Sequence, residues 1–160
     1  MALRIFLPGG DPALRKKSRE VTVFDGRLHQ LLDDMHETMT SAGGVGLAAV
    51  QIGILRRVVV IDLEERLELI NPVIVETSDE LVTISEGCLS YPGEERRVMV
   101  PRPQKVTVSA QDRNGDPITV TGEGLLARAL CHEVDHLDGI IYQDKATEIL
   151  DPEEDDGEEE

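Results

Sequence analysis

The stretch LLARALCHEVDHL, residues 125–137, combines the apolar spacing of a buried helix with two histidines four positions apart. Positions i and i+4 share one helix face, so His132 and His136 can both reach a single metal ion. Glu133 lies about 100° further round the helix, where it can handle a proton beside the metal. Such short matches also arise by chance on solvated helices. A buried face, however, holds two histidines only when something pairs with them, so the stretch predicts a metal-binding helix.

Two histidines leave a catalytic metal site one protein ligand short, and three residues could supply it. With Gly139 in place, a metalloprotease frame HExxHxxGxxH is nearly complete, but Tyr142 stands where its last histidine would be. Glu148 is a second candidate, near the start of an acidic tail. Cys88 is the third, on a predicted turn where Gly87 lets the backbone approach a metal closely. A neutral phenol is a poor ligand and a metal-bound thiol is a thiolate, so the chemistry favours Cys88.

A third segment, GVGLAAVQ at residues 44–51, is rich in small residues. Its glycines allow a tight turn, and its paired alanines allow close packing against another element. Gln51 could then direct a side-chain amide N–H at a negatively charged oxygen. The alternative is purely structural, a helix stop followed by a buried strand.

Helical periodicity is clearest in two places. Asp25 is a candidate N-cap for a first helix, which Gly43 and Gly44 are expected to end. The apolar residues on one face of this helix are Leu28, Leu31, Leu32, Met35 and Met39. A second helix is expected to begin near residues 121–123, to carry the two histidines and to end at Gly139.

Several segments between the helices have the β-branched content and the bounding turn residues of strands. They are residues 56–62, 67–70, 81–85, 105–110 and 117–121. Asn114 and Gly115 tolerate positive φ and predict a hairpin between the last two. The chain is therefore expected to adopt an α+β fold, in which mostly antiparallel sheets pack around the C-terminal-half helix with the HExxH motif.

The composition is that of one globular domain. A length of 160 residues suffices for one buried core, and no apolar run approaches the roughly 20 residues of a membrane span. Residues 1–8 lack the pattern of a signal peptide, so we expect a cytoplasmic protein with no membrane contact. Two cysteines are too few for a disulfide framework and are better interpreted as a ligand or nucleophile and a buried thiol.

The net charge of -16 argues against a nucleic-acid surface, which requires clustered lysine and arginine. Much of that charge is local, because residues 151–160 (DPEEDDGEEE) contain eight acids and no base. A block of like charges repels itself and favours disorder. We therefore expect a catalytic domain over residues 1–147 and an acidic, disordered tail over residues 148–160.

Three motifs together resemble those of the peptide deformylases. They are GVGLAAVQ (44–51), EGCLS (86–90) and HEVDH (132–136), which occur here in the same order and at similar separations. The resemblance covers roughly residues 5–147. Three independent motifs in order are far more specific than an HExxH sequence alone.

The resemblance implies a role for each matching residue. Cys88, His132 and His136 correspond to the metal ligands, and Glu133 corresponds to the catalytic acid and base. Gln51 and the backbone N–H of Leu89 correspond to the donors that hold the oxyanion. The substrate-binding positions it implies are Gly44, Val45, Gly46 and Cys131. Cys131 stands where many members have glutamine, so its place in the pocket is a departure from the family pattern.

The resemblance also implies a reaction and its partners. The family removes the N-formyl group from the N-terminal formylmethionine of newly made polypeptides and releases formate. The expected cofactor is one Fe2+ ion per chain, with Zn2+ or Ni2+ as substitutes. The expected partners are N-formylmethionyl nascent peptides, with transient proximity to the ribosome. Some members have a basic C-terminal helix thought to dock there, whereas this tail is acidic, so we expect no such helix and no direct nucleic-acid binding.

Two other functions compete with this interpretation. A zincin-type peptidase would cleave internal peptide bonds and would not need Cys88. A non-enzymatic protein of the same fold would be expected to lack Glu133, Gln51 or a metal ligand, and all of these are present. One further expectation is an ion pair between Glu86 and Arg102 that orients the Cys88 loop.

Overall fold

The computed structural model describes residues 2–149, which form two α-helices and two antiparallel sheets. The helices are α1 (Gly26–Ser41) and α2 (Leu125–Leu137). The strands are β1 (Gly46–Ala48), β2 (Val58–Asp62), β3 (Arg66–Thr77), β4 (Leu81–Glu86), β5 (Val98–Pro103), β6 (Lys105–Gln111), β7 (Pro117–Glu123) and β8 (Glu148–Ile149). Short 3-10 helices cover Pro12–Arg15, Ala49–Ile52, Glu94–Arg96 and Tyr142–Lys145. The predicted α+β class is confirmed.

Strand β2 shows why the larger sheet is covered on both faces. The order of this sheet is β1-β2-β3-β6-β7, and that of the smaller sheet is β4-β5-β8. Along β2, Val58 and Val60 join the core beneath α1, while Val59 and Ile61 join the core around α2. Because both faces are buried, the strand is a continuous apolar run instead of an alternating one. Helix α2 also packs on β5, and so it lies between the two sheets.

Helix α1 begins and packs as its sequence predicts. The Asp25 side chain accepts hydrogen bonds from the N–H groups of Arg27 and Leu28 at 3.1 and 3.2 Å. All five predicted apolar side chains of this helix are buried. The chain then turns at Gly43, where φ is +75°, and enters β1. This turn brings the GVGLAAVQ segment under the helix.

Strand β3 is longer than its sequence predicts. The pattern ends at residue 70 because Asn71 and Pro72 interrupt it, yet the strand runs to Thr77. Asn71 has φ +53°, and the pairing of β3 with β6 shifts register between Ile70 and Val73. The Asn71 side chain stabilises this bulge by bonding to both backbone groups of Val21 at 2.8 and 2.9 Å. A proline is tolerated at a bulge because no ladder donor is needed there.

Other boundaries also differ from the sequence-based expectations. Helix α2 begins at Leu125, because residues 121–123 still belong to β7 and Gly124 (φ +59°) makes the junction. The hairpin after β6 is confirmed, although only Gly115 has positive φ.

Strand β5 was missed because Pro101 and Pro103 interrupt its pattern. Among residues 2–149, β8 pairs with Val98 and Met99 alone, and this side of β5 has no further strand partner there, a position where proline is tolerated. Strand β8 also extends the folded chain two residues past the expected boundary at residue 147. The remainder of the predicted tail, residues 150–160, lies outside the described residues. Within residues 2–149, no helix has the length and apolarity needed to cross a membrane.

Candidate metal centre and active site

Three candidate ligands from distant parts of the chain meet at one point. One donor atom from each of Cys88, His132 and His136 lies within 4.8 Å of the other two. The Cys88 Sγ is 3.4 Å from Nε2 of His136. Cys88 follows β4 on the smaller sheet, and both histidines lie on α2. The packing of α2 between the sheets is therefore what brings the thiol to the imidazoles.

The chemistry of these donors fits a divalent metal ion. One thiol and two imidazoles are ligand types that bind such ions at short distances. Burial lowers the pKa of His136 well below its ordinary value, which favours the neutral imidazole that binds metals. Burial would also lower the pKa of His132, but Glu133 and Cys88 outweigh it and raise that pKa well above its ordinary value. The two imidazoles therefore have different electrostatic surroundings.

A buried carboxylate, Glu86, orients His132. Its Oε2 accepts hydrogen bonds from Nδ1 of His132 at 2.6 Å and from Arg102 at 2.8 Å. Its Oε1 accepts from Arg102 at 3.2 Å and from Arg128 at 2.8 Å. Burial alone would raise the pKa of Glu86, but the hydrogen bonds from His132 and Arg102 lower it well below its ordinary value. Because the bond occupies Nδ1, the other ring nitrogen of His132 is left to face a metal.

The expected Glu86–Arg102 pair is therefore confirmed, and it is part of a larger network. Arg102 also donates to Asp135 at 2.7 Å. The sequence-based expectations missed Arg128 and Asp135. Each has one signal in the sequence: Arg128 lies four positions before His132, on its helix face, and Asp135 lies inside the HExxH motif. The two carboxylates and two guanidinium groups balance in charge.

The Glu133 carboxyl group lies against the backbone of β1. A Cβ atom on Gly46 would lie only 2.6 Å from Oε2 of Glu133, so only glycine lets the strand pass this close. The Oε1 atom is buried and has no hydrogen-bond partner among the described residues. Burial raises the pKa of Glu133 to about 7. A group with that pKa can take up and release a proton near neutral pH.

The Gln51 side-chain amide lies beside the Cys88 sulfur, and the backbone N–H of Leu89 directly follows Cys88 in the chain. Oε1 of Gln51 accepts the Ala48 N–H at 2.9 Å, which fixes the direction of the side-chain amide. Its Nε2 then donates to Ser90 Oγ at 3.0 Å and approaches Cys88 Sγ at 3.5 Å. The Leu89 N–H has no hydrogen-bond partner within residues 2–149. Ser90 was not singled out from the sequence, although it belongs to the EGCLS motif.

A cavity of about 650 Å³ opens onto this site. Among the predicted site residues, its lining includes Gly44, Val45, Gly46, Gln51, Cys88, Leu89, His132 and Glu133. From α2, the cavity is also lined by Leu125, Arg128 and Ala129. Cys131, which we expected to line the pocket, instead belongs to the hydrophobic core. The reason is helical geometry: residues three, four and seven before His132 share its face, whereas Cys131 lies about 100° round the helix on the side away from Glu133. Burial raises the pKa of the Cys131 thiol to about 11, which makes it unreactive.

Comparison with known proteins identifies the family. The family model for polypeptide deformylase matches residues 3–151. The chain belongs to the polypeptide deformylase family. The peptide deformylase of Acetivibrio thermocellus is 55% identical over 155 residues, which cover 96% of this chain and 89% of the relative. That of Natranaerobius thermophilus is 51% identical and covers 96% of this chain and 99% of the relative.

Solved structures of polypeptide deformylases have the same fold. A peptide deformylase from Synechococcus elongatus in complex with actinonin is 43% identical, with a TM-score of 0.86 over 89% of this chain and 78% of that one. The enzyme from Thermotoga maritima is 38% identical, with a TM-score of 0.87 over 91% of this chain and 98% of that one. As a polypeptide deformylase, the chain is a metal-dependent hydrolase that removes the N-formyl group from formylated nascent peptides.

The Glu86 network generates a testable prediction for Arg102. Replacing Arg102 by alanine removes hydrogen bonds to two carboxylates and leaves buried charge uncompensated. We expect Arg102→Ala to lower the free energy of unfolding by about 3 kcal/mol and to weaken metal binding by about tenfold or more. Urea unfolding and competition titration with Zn2+ measure the two effects. Arg66, whose pairs with Asp33 and Glu68 are near the surface, provides the control.

Arg66→Ala should lower the free energy of unfolding by no more than about 1 kcal/mol and leave metal binding unchanged. If Arg102→Ala behaves like this control in both measurements, Glu86 does not orient His132 in the way inferred.

Proposed function

We propose that Cys88, His132 and His136 hold one divalent metal ion, beside which Glu133 serves as acid and base for hydrolysis of an N-formylmethionyl peptide. The observation that carries this assignment is the meeting of three metal-binding donors beside one open cavity. Cys88 and His132 line that cavity together with Glu133, whose Oε1 has no hydrogen-bond partner among the described residues. The frame of a zincin peptidase does not account for a thiol among the donors. The full set of site residues argues equally against a non-enzymatic relative.

A bound metal ion and Glu133 would have separate roles, Lewis acidity for the metal and proton transfer for Glu133. When bound, the metal ion supplies Lewis acidity, which lowers the pKa of a coordinated water toward neutrality. Glu133 accepts the proton of the attacking water, for which its pKa of about 7 is well matched. The same carboxyl group then returns a proton to the departing amine, and formate and a free N-terminus result. Because Gly46 has no side chain, the Glu133 carboxyl group can lie directly against the β1 backbone at the site of this exchange.

Gln51 and Leu89 are placed to stabilise the negative oxygen that forms at the formyl carbon. The Gln51 amide is oriented in advance by Ala48, so its N–H groups need little reorganisation when charge develops. The Leu89 backbone N–H is the second donor. Donors aimed at developing charge in a dry site are among the largest contributions to catalysis.

Segment 44–46 and helix α2 provide the substrate site. Strand β1 is at an edge of its sheet, so its outer backbone groups can pair with an extended peptide. The methionine side chain would then lie along the α2 face formed by Ala129 and Arg128. Cys131 is excluded from this set because, unlike Ala129, it is not among the described residues that line the cavity.

We propose Fe2+ as the metal in the cell, with Zn2+ and Ni2+ able to replace it. A ligand set with a thiolate accepts all three ions, and general affinity trends favour zinc and nickel over iron. Which ion is bound therefore depends on supply. A ferrous ion beside an exposed thiolate is also sensitive to oxygen, which makes the assignment testable.

We further propose that the enzyme works in the cytoplasm on nascent chains and does not bind ribosomal RNA. The net charge of -16 and the acidic residues 151–160 support this, because both are repelled by phosphate. The catalytic unit would end near residue 149, after β8, and the family match ends at residue 151.

The first prediction of this assignment concerns Glu133. Replacing it by glutamine keeps the shape of the side chain and removes its proton transfer, so release of formate from a formyl-Met dipeptide should fall by about 100-fold or more. The metal content should not change, because Glu133 is not a proposed ligand. The exposed Glu76→Gln on β3 is the control and should retain full activity. Formate release by Glu133→Gln at the control's rate would rule out the assigned role.

The second prediction concerns the metal. Protein purified without oxygen should contain about one iron per chain, lose activity in air, and recover when Fe2+ is added under a reductant. Elemental analysis and formate assays on the same sample provide the measurement. A sample that contains mainly zinc and keeps its full activity in air would contradict the iron assignment.

The third prediction concerns the tail. Deleting residues 151–160 should leave kcat/KM on a short formyl-Met peptide within about twofold of the full chain. The reason is that the acidic tail does not attract a substrate that is neutral or negatively charged. A charge-neutral tail, in which the eight acids are changed to their amides, serves as the control for length. A large drop in kcat/KM in the deletion would place the tail in the catalytic unit.

A further inference from the structure

Arg128 occupies an unusual position for a buried cation. It lies four residues before His132 on α2, so the helix places it about 6 Å along the axis from that histidine, on the same face. It lines the active-site cavity, and its side chain is only 9% exposed. A long charged side chain is rarely buried unless its charge is compensated. The role of Arg128 therefore depends on the hydrogen-bond acceptors that hold its guanidinium group.

The guanidinium group is held by three acceptors from the smaller sheet. Nη1 donates to Oε1 of Glu86 at 2.8 Å and to the Val100 carbonyl at 3.0 Å, and Nη2 donates to the Val82 carbonyl at 2.6 Å. The bonds link α2 to both β4 and β5. If Arg128 moved, two carbonyl groups would lose a partner, which is costly where they are buried. The wall that Arg128 forms in the cavity is consequently rigid.

Glu86 connects this wall to His132. A carboxylate offers about four acceptor positions, and all four are used here: two by Arg102, one by Arg128 and one by His132. Without Arg128, the Oε1 atom of Glu86 would accept only one hydrogen bond among those described, the one from Arg102. The direction of the Glu86 bond to Nδ1 of His132 would then be less restricted. The orientation of the imidazole depends on that bond.

We propose that Arg128 is a positioning residue that joins the shape of the side-chain pocket to the orientation of His132, acting through Glu86. The proposal rests on the proposed function, because it takes His132 as a metal ligand and this α2 face as the pocket for the first side chain of the substrate. Arg128 touches neither the reacting atoms nor the metal.

The position of Arg128 has a consequence for substrate choice. A side chain that starts beside His132 and runs along α2 meets Arg128 one helical turn away. A side chain of methionine's length ends there. A longer one must displace a guanidinium group that also holds Glu86. It therefore disturbs His132 and lowers kcat, whereas a longer side chain in an ordinary apolar pocket would mainly raise KM.

The experiment compares Arg128→Met, Arg128→Lys and the control Arg113→Met. Methionine keeps a flexible stem without charge, and lysine keeps a cation that reaches Glu86 but cannot form the arginine fork. Arg113 also donates to carboxylates, those of Glu68 and Asp33, but it does not line the active-site cavity. Each protein is loaded with Co2+ for its absorption spectrum. Each is also assayed for formate release from formyl-methionyl and formyl-ethionyl dipeptides, which differ by one methylene.

The wild type should prefer the methionyl peptide by about tenfold or more in kcat/KM, with most of the difference in kcat. In Arg128→Met this preference should fall to about threefold or less, kcat for the methionyl peptide should fall by about tenfold, and the Co2+ spectrum should shift. Arg128→Lys should lie between the wild type and Arg128→Met in substrate preference, in kcat and in its Co2+ spectrum. Arg113→Met should match the wild type in spectrum and in preference.

Two outcomes would overturn the proposal. In one, Arg128→Met retains both the wild-type spectrum and the wild-type preference. In the other, Arg128→Met does not fold and Arg128→Lys is identical to the wild type in both measurements. Failure of the proposed function is a separate result: no formate would be released by the wild type with either peptide. The Co2+ spectra would still report in that case whether Arg128 controls the environment of His132.

Discussion

The buried Glu86 carboxylate is the group on which the rest of the site depends. It accepts four hydrogen bonds, from two arginines and one histidine, and these donors come from β5 and α2. A carboxylate taken out of water is stable only if its charge is compensated and its acceptor positions are filled. That requirement fixes β4, β5 and α2 relative to one another at the metal centre.

The hydrogen bonds of Glu86 also attach the smaller sheet to α2. With three strands and little core of its own, it is stabilised largely by its contact with α2. The smaller sheet places Glu86 at the end of β4 and Cys88 two residues beyond it, so that Glu86 bonds to His132 and the Cys88 sulfur lies near His136. The larger sheet supports the other side of α2 and supplies Gly46 beside Glu133. The two walls of the candidate site thus come from two sheets, and α2 joins them.

The active site combines rigid and reactive groups in a small volume. Gln51 is fixed by a backbone N–H and Glu86 by four donors, whereas one oxygen of Glu133 has no partner in the described part of the chain and its pKa is about 7. Groups that must hold their direction are saturated with hydrogen bonds. Glu133, for which we propose proton exchange, is left unsaturated, and burial keeps its two protonation states close in free energy near neutral pH. This difference follows from the packing alone and requires no flexible loop.

Local sequence determined the features that depend on local geometry. The 3.6-residue period placed His132 and His136 together, the cap and apolar face of α1 followed from its residues, and the glycine and cysteine motifs indicated both the ligand set and the family. Other features depended on which elements become neighbours. Arg128 reaches Glu86 only because α2 packs on the smaller sheet, and β3 continues past Pro72 only because Asn71 makes a bulge beside β6. Cys131 precedes a proposed ligand yet is buried, because one step along a helix turns a side chain by about 100°. Spacing along a chain predicts which groups share a face, but the face that meets the cavity is decided by packing between distant elements.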